Sequence, residues 1–141
     1  MSDFSYRRRI DYSDTDKGGI VHFSRFFVYM ETAEHEFLRA HGTSVDRTVD
    51  GVRISWPRVA ASCEYKSPAH FGDVLEVRVR VDRHGVKSMT YAFEFWREDT
   101  LLAKGKTTSA CCIMHPHRDP EPTEIPDWFK EAVQNDVADK G

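Results

Sequence analysis

Two periodicities of apolar and polar positions divide the chain. Between Phe4 and Tyr12 apolar and polar residues alternate, which predicts a half-buried strand. From Ser24 to His41 apolar residues recur at helical spacing and Gly42 follows as a stop signal, so this segment is predicted to be one long helix with Ser24 as its N-cap. Four later segments alternate again and are predicted strands: residues 58–65, 74–83, 88–97 and 101–114.

The segments between these elements are predicted to be loops. The polar, glycine-rich stretch from Ser13 to Gly19 has turn chemistry, and residues 43–53 are predicted to be irregular. The links near residues 84–86 and 98–100 are too short for a parallel crossover, so the strands that they join are predicted to be antiparallel. The proline-rich tail is expected to be extended and to lead into a short helix over residues 127–134.

This order of elements predicts an α+β fold. A sheet of about five antiparallel strands would curve around one long central helix, with a short C-terminal helix added at the end. The pattern indicates neither repeats nor a second domain, so residues 1–141 are expected to form a single domain. A lone sheet leaves its edge strands unpaired, and we therefore expect two copies to associate through an edge.

Composition narrows the class of partners. The net charge of −3 argues against a sequence-independent nucleic-acid binder. The first residues are charged and lack the apolar segment of a signal peptide, and no apolar run approaches the roughly 20 residues that span a bilayer. Three cysteines, an odd number, argue against a disulfide framework. We therefore expect a cytoplasmic protein with reduced thiols that binds neither nucleic acid nor membrane.

Candidate chemistry concentrates between the first strand and the long helix. The chain has no G-x-S-x-G elbow, no P-loop and no dinucleotide fingerprint. Asp16 instead lies just ahead of a glycine turn that opens the helix. Because a helix start carries unpaired N–H groups and a partial positive charge, it can polarise a carbonyl group placed beside that carboxylate.

The same region carries a family resemblance. The run from Asp16 to Phe23 resembles the signature of the 4-hydroxybenzoyl-CoA thioesterase family of hotdog proteins. The segment from Tyr65 to Val81 and the pair Lys87 and Ser88 are similar to later parts of that family's pattern, so the resemblance covers almost the whole chain. The matching signature positions are Asp16, Gly19, Ile20, Val21, His22, Phe23, Phe26 and Glu31.

The resemblance implies a fold and a reaction. The fold would be the hotdog fold, and the protein would be an acyl-CoA thioesterase that hydrolyses an acyl- or aroyl-coenzyme A to the free acid and coenzyme A. Asp16 would act as nucleophile or general base, and the amide of Phe23 would donate to the thioester carbonyl, with Gly19 and His22 in the same loop. This chemistry requires no cofactor and no metal. Coenzyme A or an acyl carrier protein would carry the acyl group, and a homodimer or a dimer of dimers would form the sites between subunits.

Two interpretations stay open for several individual residues. His22 is either a catalytic acid or base, or a structural hydrogen-bond donor. Glu31 and Glu34 on the helix are either catalytic carboxylates, as in some hotdog enzymes with other signatures, or paired or solvated charges, which is the simpler interpretation. Four polar residues either contact the phosphates of coenzyme A or belong to a solvated face: Lys87, Ser88, Arg83 and Arg58.

Two competing functions also stay open. The first is a hotdog hydratase or dehydratase, and the second is a non-catalytic acyl-binding dimer. The spacing between Asp16 and His22 differs from the pattern that hydratases of this fold show, which disfavours water addition. The intact Asp16 loop argues against a protein that only binds acyl groups.

Overall fold

The computed structural model of the chain describes residues 4–134. Within that range the chain forms nine strands, one 3-10 turn and two α-helices. In chain order these are β1 (Phe4–Arg9), the 3-10 turn (Tyr12–Asp14), α1 (Arg25–Ala40), β2 (Asp46–Val49), β3 (Val52–Ser55), β4 (Arg58–Tyr65), β5 (Val74–His84), β6 (Ser88–Arg97), β7 (Thr100–Ala110), β8 (Cys112–His115), β9 (Arg118–Pro122) and α2 (Asp127–Gln134). No helix in this range is long and apolar enough to cross a membrane.

Five strands form the main sheet, in the order β1-β5-β6-β7-β4, and every neighbouring pair is antiparallel. The helix α1 packs on this sheet through an apolar stripe that includes the buried residues Phe26, Met30 and Phe37. A side chain at Gly105 in β7 would collide with Met30, so this glycine lets the helix approach the sheet closely. The predicted α+β arrangement is confirmed, as are the predicted bounds of β4, β6 and α2.

Because neighbouring strands are antiparallel, the connecting loops lie at two opposite ends of the main sheet. Because β1, β6 and β4 all run opposite to β5 and β7, their last residues lie together. This end, called here the loop end, also holds residues 10–24, residues 66–73 and the start of α1. The opposite end, called the far end, holds the first residues of β4 and β6 and the link at residues 85–87.

A second sheet, which the sequence did not predict, has the strand order β2-β3-β8-β9. The prediction that residues 43–53 are irregular was wrong, because this segment contains β2 and most of the hairpin that joins it to β3. The hairpin turns at Asp50 and Gly51, whose φ angles of 52° and 80° both fall in the left-handed region. An Asp-Gly pair favours this type of two-residue hairpin turn.

The second sheet also divides a strand that was predicted to be continuous. Residues 101–114 separate at Cys111, since β7 remains in the main sheet while β8 pairs with β3. The proline-rich tail is extended, as predicted, and its strand β9 pairs with β8. The helix α2 packs next to this sheet, where the rings of Phe129 and Trp56 lie 4.6 Å apart. Trp56 is therefore part of the core.

The first strand is shorter than predicted. It ends at Arg9, and the chain then turns, with the Asp11 N–H donating to the carboxylate of Asp14 at 3.0 Å. As a consequence Tyr12 is 77% exposed and does not continue the inward-facing row of β1.

Candidate active site

Asp16 lies in a short hairpin between β1 and α1. Thr15 and Val21 form an antiparallel bridge, and the Asp16 N–H donates to the carbonyl of Ile20 at 2.8 Å. The Gly19 N–H donates back to the Asp16 carbonyl at 3.0 Å, and Gly19 has a φ of 84°, a conformation that favours glycine. The turn therefore holds Asp16 at a defined place ahead of the helix.

The Asp16 carboxylate is anchored through one oxygen. Its Oδ1 accepts the Gly18 N–H at 2.8 Å, and a side chain at Gly18 would lie only 3.2 Å from that oxygen. The residue is exposed. The two arginines nearest to the hairpin, Arg8 and Arg25, pair with the neighbouring Asp14 instead. One oxygen of Asp16 is thus oriented by the backbone, and the other is left for a substrate or a water molecule.

The N–H of Phe23 points outward, away from the helical turns of α1 that follow it. The carbonyl of His22 accepts the Arg25 N–H at 2.9 Å, so that carbonyl faces the helix. The peptide bond is trans, which directs the Phe23 N–H to the opposite side. This N–H has no acceptor among the described residues. It can therefore donate to a ligand, which is the property that an oxyanion-binding amide needs.

Ser24 is the N-cap residue of α1, as predicted, but His22 and not a helix N–H is the partner of its side chain. Ser24 has helical backbone angles and its side chain makes no capping bond. Instead the Ser24 N–H donates to Nδ1 of His22 at 3.3 Å, and the Ser24 hydroxyl lies 2.7 Å from the same nitrogen. Since a backbone N–H can only donate, Nδ1 is an acceptor, which assigns the proton of the neutral ring to Nε2. The ring also stacks on Phe23 at 4.6 Å. Nδ1 of His22 therefore acts as a hydrogen-bond acceptor in this structure, and not as the structural donor that was one of the two interpretations from the sequence.

Asp14 anchors the hairpin, and sequence reasoning missed it. It is 5% exposed, accepts the Asp11 N–H, and lies 3.7 Å from Arg8 of β1 and 3.6 Å from Arg25 of α1. Burial, and after it the nearby Asp14 carboxylate, raises the pKa of the Tyr29 hydroxyl above its ordinary value. One buried carboxylate thus joins the end of β1, the hairpin and the first turns of α1.

A second loop supports the hairpin from the side. The Val21 N–H donates to the carbonyl of Ala69 at 2.8 Å, and Ile20 bridges His70. Asp73 holds this second loop by accepting the His70 N–H and a guanidinium N–H of Arg97, both at 2.9 Å. Although burial opposes the effect, these donors keep the pKa of Asp73 below its ordinary value. The loop of residues 66–73 is thereby fixed to β6 and in turn fixes the Asp16 hairpin.

The four coenzyme A candidates lie together, but far from Asp16. Arg58 begins β4, Ser88 begins β6, and Lys87 and Arg83 lie beside them, so all four are at the far end. The ten residues of β6 separate this end from the loop end, a distance of about 33 Å. Within one chain these residues and Asp16 do not form one site.

Arg58 also differs from the expectation that it contacts coenzyme A or belongs to a solvated face. Its guanidinium lies 3.0 Å from the carboxylate of Glu34 and donates to the Ser109 hydroxyl at 2.8 Å. Glu34 is 1% exposed, and burial raises its pKa although Arg58 opposes that rise. Arg58 therefore compensates a buried charge, and part of its guanidinium is already engaged within the chain. The expectation that Glu34 is a paired charge agrees with this contact.

Comparison with known proteins places the chain in a family. A family model described as the thioesterase-like superfamily matches residues 10–133. A putative esterase of Aquifex aeolicus is 36% identical over 104 residues, which are 74% of this chain and 80% of that protein. A 1,4-dihydroxy-2-naphthoyl-CoA hydrolase of Synechocystis is 27% identical over 128 residues, or 89% of this chain and 92% of that enzyme.

Solved structures agree on the fold. A Thermus thermophilus protein of hypothetical function superposes with a TM-score of 0.81 at 29% identity, covering 92% of this chain and 96% of that one. A 1,4-dihydroxy-2-naphthoyl-CoA thioesterase of Synechocystis superposes with a TM-score of 0.80 at 23% identity, covering 95% and 97%. The expected hotdog fold and thioester hydrolase class are confirmed. With a family model matching residues 10–133 and the main sheet wrapped on α1, this chain belongs to the thioesterase-like superfamily.

Proposed function

We propose that this chain hydrolyses the thioester of an acyl- or aroyl-coenzyme A to the free acid and coenzyme A, with Asp16 and the Phe23 amide acting on the same carbonyl group. The observation that carries the proposal is that the short segment of residues 15–24 contains two groups that the described residues leave available. Asp16 has one oxygen anchored and one accessible, and the Phe23 N–H has no acceptor among the described residues. The naphthoyl-CoA hydrolase of Synechocystis supports the substrate class, as does an acyl-CoA thioesterase of Haemophilus influenzae that is 29% identical over 110 residues.

The reaction follows from the chemistry of these two groups. A thioester has an activated acyl group and a good thiolate leaving group. The Asp16 carboxylate either attacks the carbonyl carbon, forming an anhydride that water then hydrolyses, or removes a proton from the attacking water. In both routes the Phe23 N–H donates to the oxygen that gains negative charge. In both routes the tetrahedral intermediate collapses by breaking the carbon–sulfur bond, and coenzyme A leaves as the thiolate; in the first route this collapse forms the anhydride, which water hydrolyses afterwards. No step uses a cofactor or a metal, and among residues 4–134 no cluster of three or more His, Cys, Asp or Glu side chains is placed to hold a metal ion.

Two copies of the chain would complete the site by pairing along β4. The main sheet has two edges, β1 and β4. The charged run from Arg7 to Arg9 protects β1 against pairing, whereas β4 presents small and apolar residues, among them Val59 at 62% exposure. An open edge of this kind is a template for a second strand, so β4 is the edge that fits a homodimer.

Antiparallel pairing of β4 with its copy would also place the coenzyme A candidates of one chain near Asp16 of the other chain. Such a two-fold pairing places the far end of the partner beside the loop end of this chain. The partner's Lys87, the partner's Ser88 and the partner's Arg83 would then approach the nucleotide part of a substrate bound at Asp16. Arg58 would keep its structural contact with Glu34. Association of two such dimers is compatible with this arrangement.

We expect the protein to act in the cytoplasm. Cys63, Cys111 and Cys112 are free thiols, which suits a reducing compartment. Burial raises the pKa of each of these thiols, so all three are poor nucleophiles near neutral pH. The cysteines therefore do not compete with Asp16 for the catalytic role.

A thiol-release assay across aliphatic and aromatic acyl-CoA substrates tests the proposal. Wild-type protein should release coenzyme A, and Asp16→Asn should lose about 10²–10⁴-fold in kcat, because it keeps the shape of the side chain but not the carboxylate. Asp119→Asn, on the exposed strand β9, is the matched control and should retain full activity. The proposal is refuted by a wild-type protein that releases no thiol from any substrate, by one that only hydrates 2-enoyl-CoA, or by near-normal turnover in Asp16→Asn.

A further inference from the structure

We infer that Tyr65 is a positioning residue that fixes the direction of the Phe23 amide, an inference that rests on the proposed function of that amide. The Tyr65 hydroxyl donates to the carbonyl of Phe23 at 2.8 Å, although the two residues are 42 positions apart in the chain. Its ring packs edge-on against Phe26, with centroids 5.3 Å apart and planes at 79°. Tyr65 therefore holds the turn before α1 from the side of the sheet.

The geometry explains why this bond matters for the amide. Phe23 lies in a turn with an exposed side chain, so side-chain packing does little to fix its backbone. On one side the His22 carbonyl is fixed by the Arg25 N–H, and on the other the Phe23 carbonyl is fixed by Tyr65. Fixing both peptide planes leaves no free rotation about the Phe23 backbone bonds. The direction of the Phe23 N–H is thereby set before a substrate arrives.

The hydroxyl is well suited to remain a donor. Burial, and after it the nearby Cys63 thiol, raises the pKa of Tyr65 to about 12. The proton therefore stays on Tyr65 across the neutral range. Because Tyr65 is the last residue of β4 and pairs with Ala103 of β7, its position is defined by the sheet and not by the loop that it supports.

Tyr65→Phe separates positioning from packing, since it keeps the ring against Phe26 and removes only the hydroxyl. We expect kcat to fall about 10- to 100-fold, because a misaligned donor near the reacting carbonyl has effects of this size. KM and Tm should stay close to the wild-type values. Tyr12→Phe is the matched control, because Tyr12 is 77% exposed and makes no side-chain hydrogen bond with the described residues, and it should leave kcat unchanged.

Infrared spectroscopy gives a readout that a purely structural role would not move. In an Asp16→Asn background, a thioester labelled with carbon-13 at the carbonyl should be turned over slowly enough for the spectrum of the bound substrate to be recorded. Adding Tyr65→Phe should shift the bound carbonyl stretch to higher frequency, because a weaker hydrogen bond polarises the carbonyl less. If the band and kcat are both unchanged in a protein that is active, the inference about Tyr65 is overturned and the proposed function stands. A rise in KM without a loss of kcat has the same consequence. A wild-type protein without thioesterase activity overturns the proposed function, and this inference falls with it.

Discussion

Asp14→Asn is expected to destabilise the protein and to slow turnover, because Asp14 joins three elements around the candidate site. The substitution keeps an oxygen that can accept the Asp11 N–H, but removes the charge that faces Arg8 and Arg25. A charged acceptor contributes about 1 kcal/mol more than a neutral one. The Arg25 side chain is 42% exposed and both ion pairs are longer than 3.5 Å, so each contributes only about 0.5 kcal/mol.

Together these contributions predict that the free energy of unfolding falls by about 2 kcal/mol. For a chain of this size that change lowers Tm by about 5–10 °C. Because Asp16 is only two residues away in the chain, a looser Asp14 should also misplace the carboxylate that is proposed to be catalytic. We expect kcat to fall about 10-fold even below the unfolding transition.

Urea unfolding and thiol release, measured on the same preparations, check both expectations. Asp11→Asn is the matched control, because Asp11 belongs to the same loop but its side chain is 64% exposed and lies 3.8 Å from Arg8. That control should change the free energy of unfolding by less than about 0.5 kcal/mol. If Asp14→Asn behaves like Asp11→Asn, the buried carboxylate is not the anchor that the contacts indicate.

Three further predictions concern the supporting loop, the coenzyme A site and the dimer. The folded-state pKa of Asp73 is lowered, so its contribution to stability is present above the unfolded pKa of about 4 and is lost as pH falls through the folded pKa. Asp73→Asn should therefore be less stable than wild type near pH 7, and urea midpoints should converge in acid. Lys87→Ala should raise KM for acyl-CoA at low salt and less so at high salt, while Lys130→Ala on α2 should not. Val59→Lys should shift sedimentation towards the monomer, because a lysine on an exposed edge strand opposes pairing with a second strand; an unchanged dimer would exclude that edge.

The fold was predictable where the hydrophobic pattern was strong. The bounds of β4, β6 and α2 were predicted to the residue because alternation or helical spacing extends over their whole length. The strands β2 and β3 have four residues each, and only one of the eight is buried, so they carry almost no hydrophobic signal. Asp50 and Gly51 were the available sign of that hairpin.

The candidate site was predictable only in part, for a different reason. Asp16 and Phe23 were found because a local signature contains them both. Asp14 and Tyr65 act through partners in other elements, and the partner of Tyr65 is 42 positions away, a relation that no local pattern records. The pairing of Arg58 with Glu34 likewise joins β4 to α1, which the sequence of either element does not reveal.

Under the proposed pairing along β4, the separation of the two ends of the sheet means that each chain would supply one part of the site. Residues 15–24 supply a carboxylate and an amide without an acceptor among the described residues, the two groups that thioester cleavage needs. Three of the nearby cations are committed, since Arg8 and Arg25 pair with Asp14 and Arg97 pairs with Asp73, whereas Lys17 beside Asp16 has no ion pair among the described residues. A coenzyme A substrate carries several negative charges on its nucleotide. In the described residues no ion pair engages Lys87 or Arg83, and these two cations lie at the far end, about 33 Å away. Antiparallel pairing of β4 with its copy removes this distance for both copies at once, so the same open edge that invites association would also assemble the site.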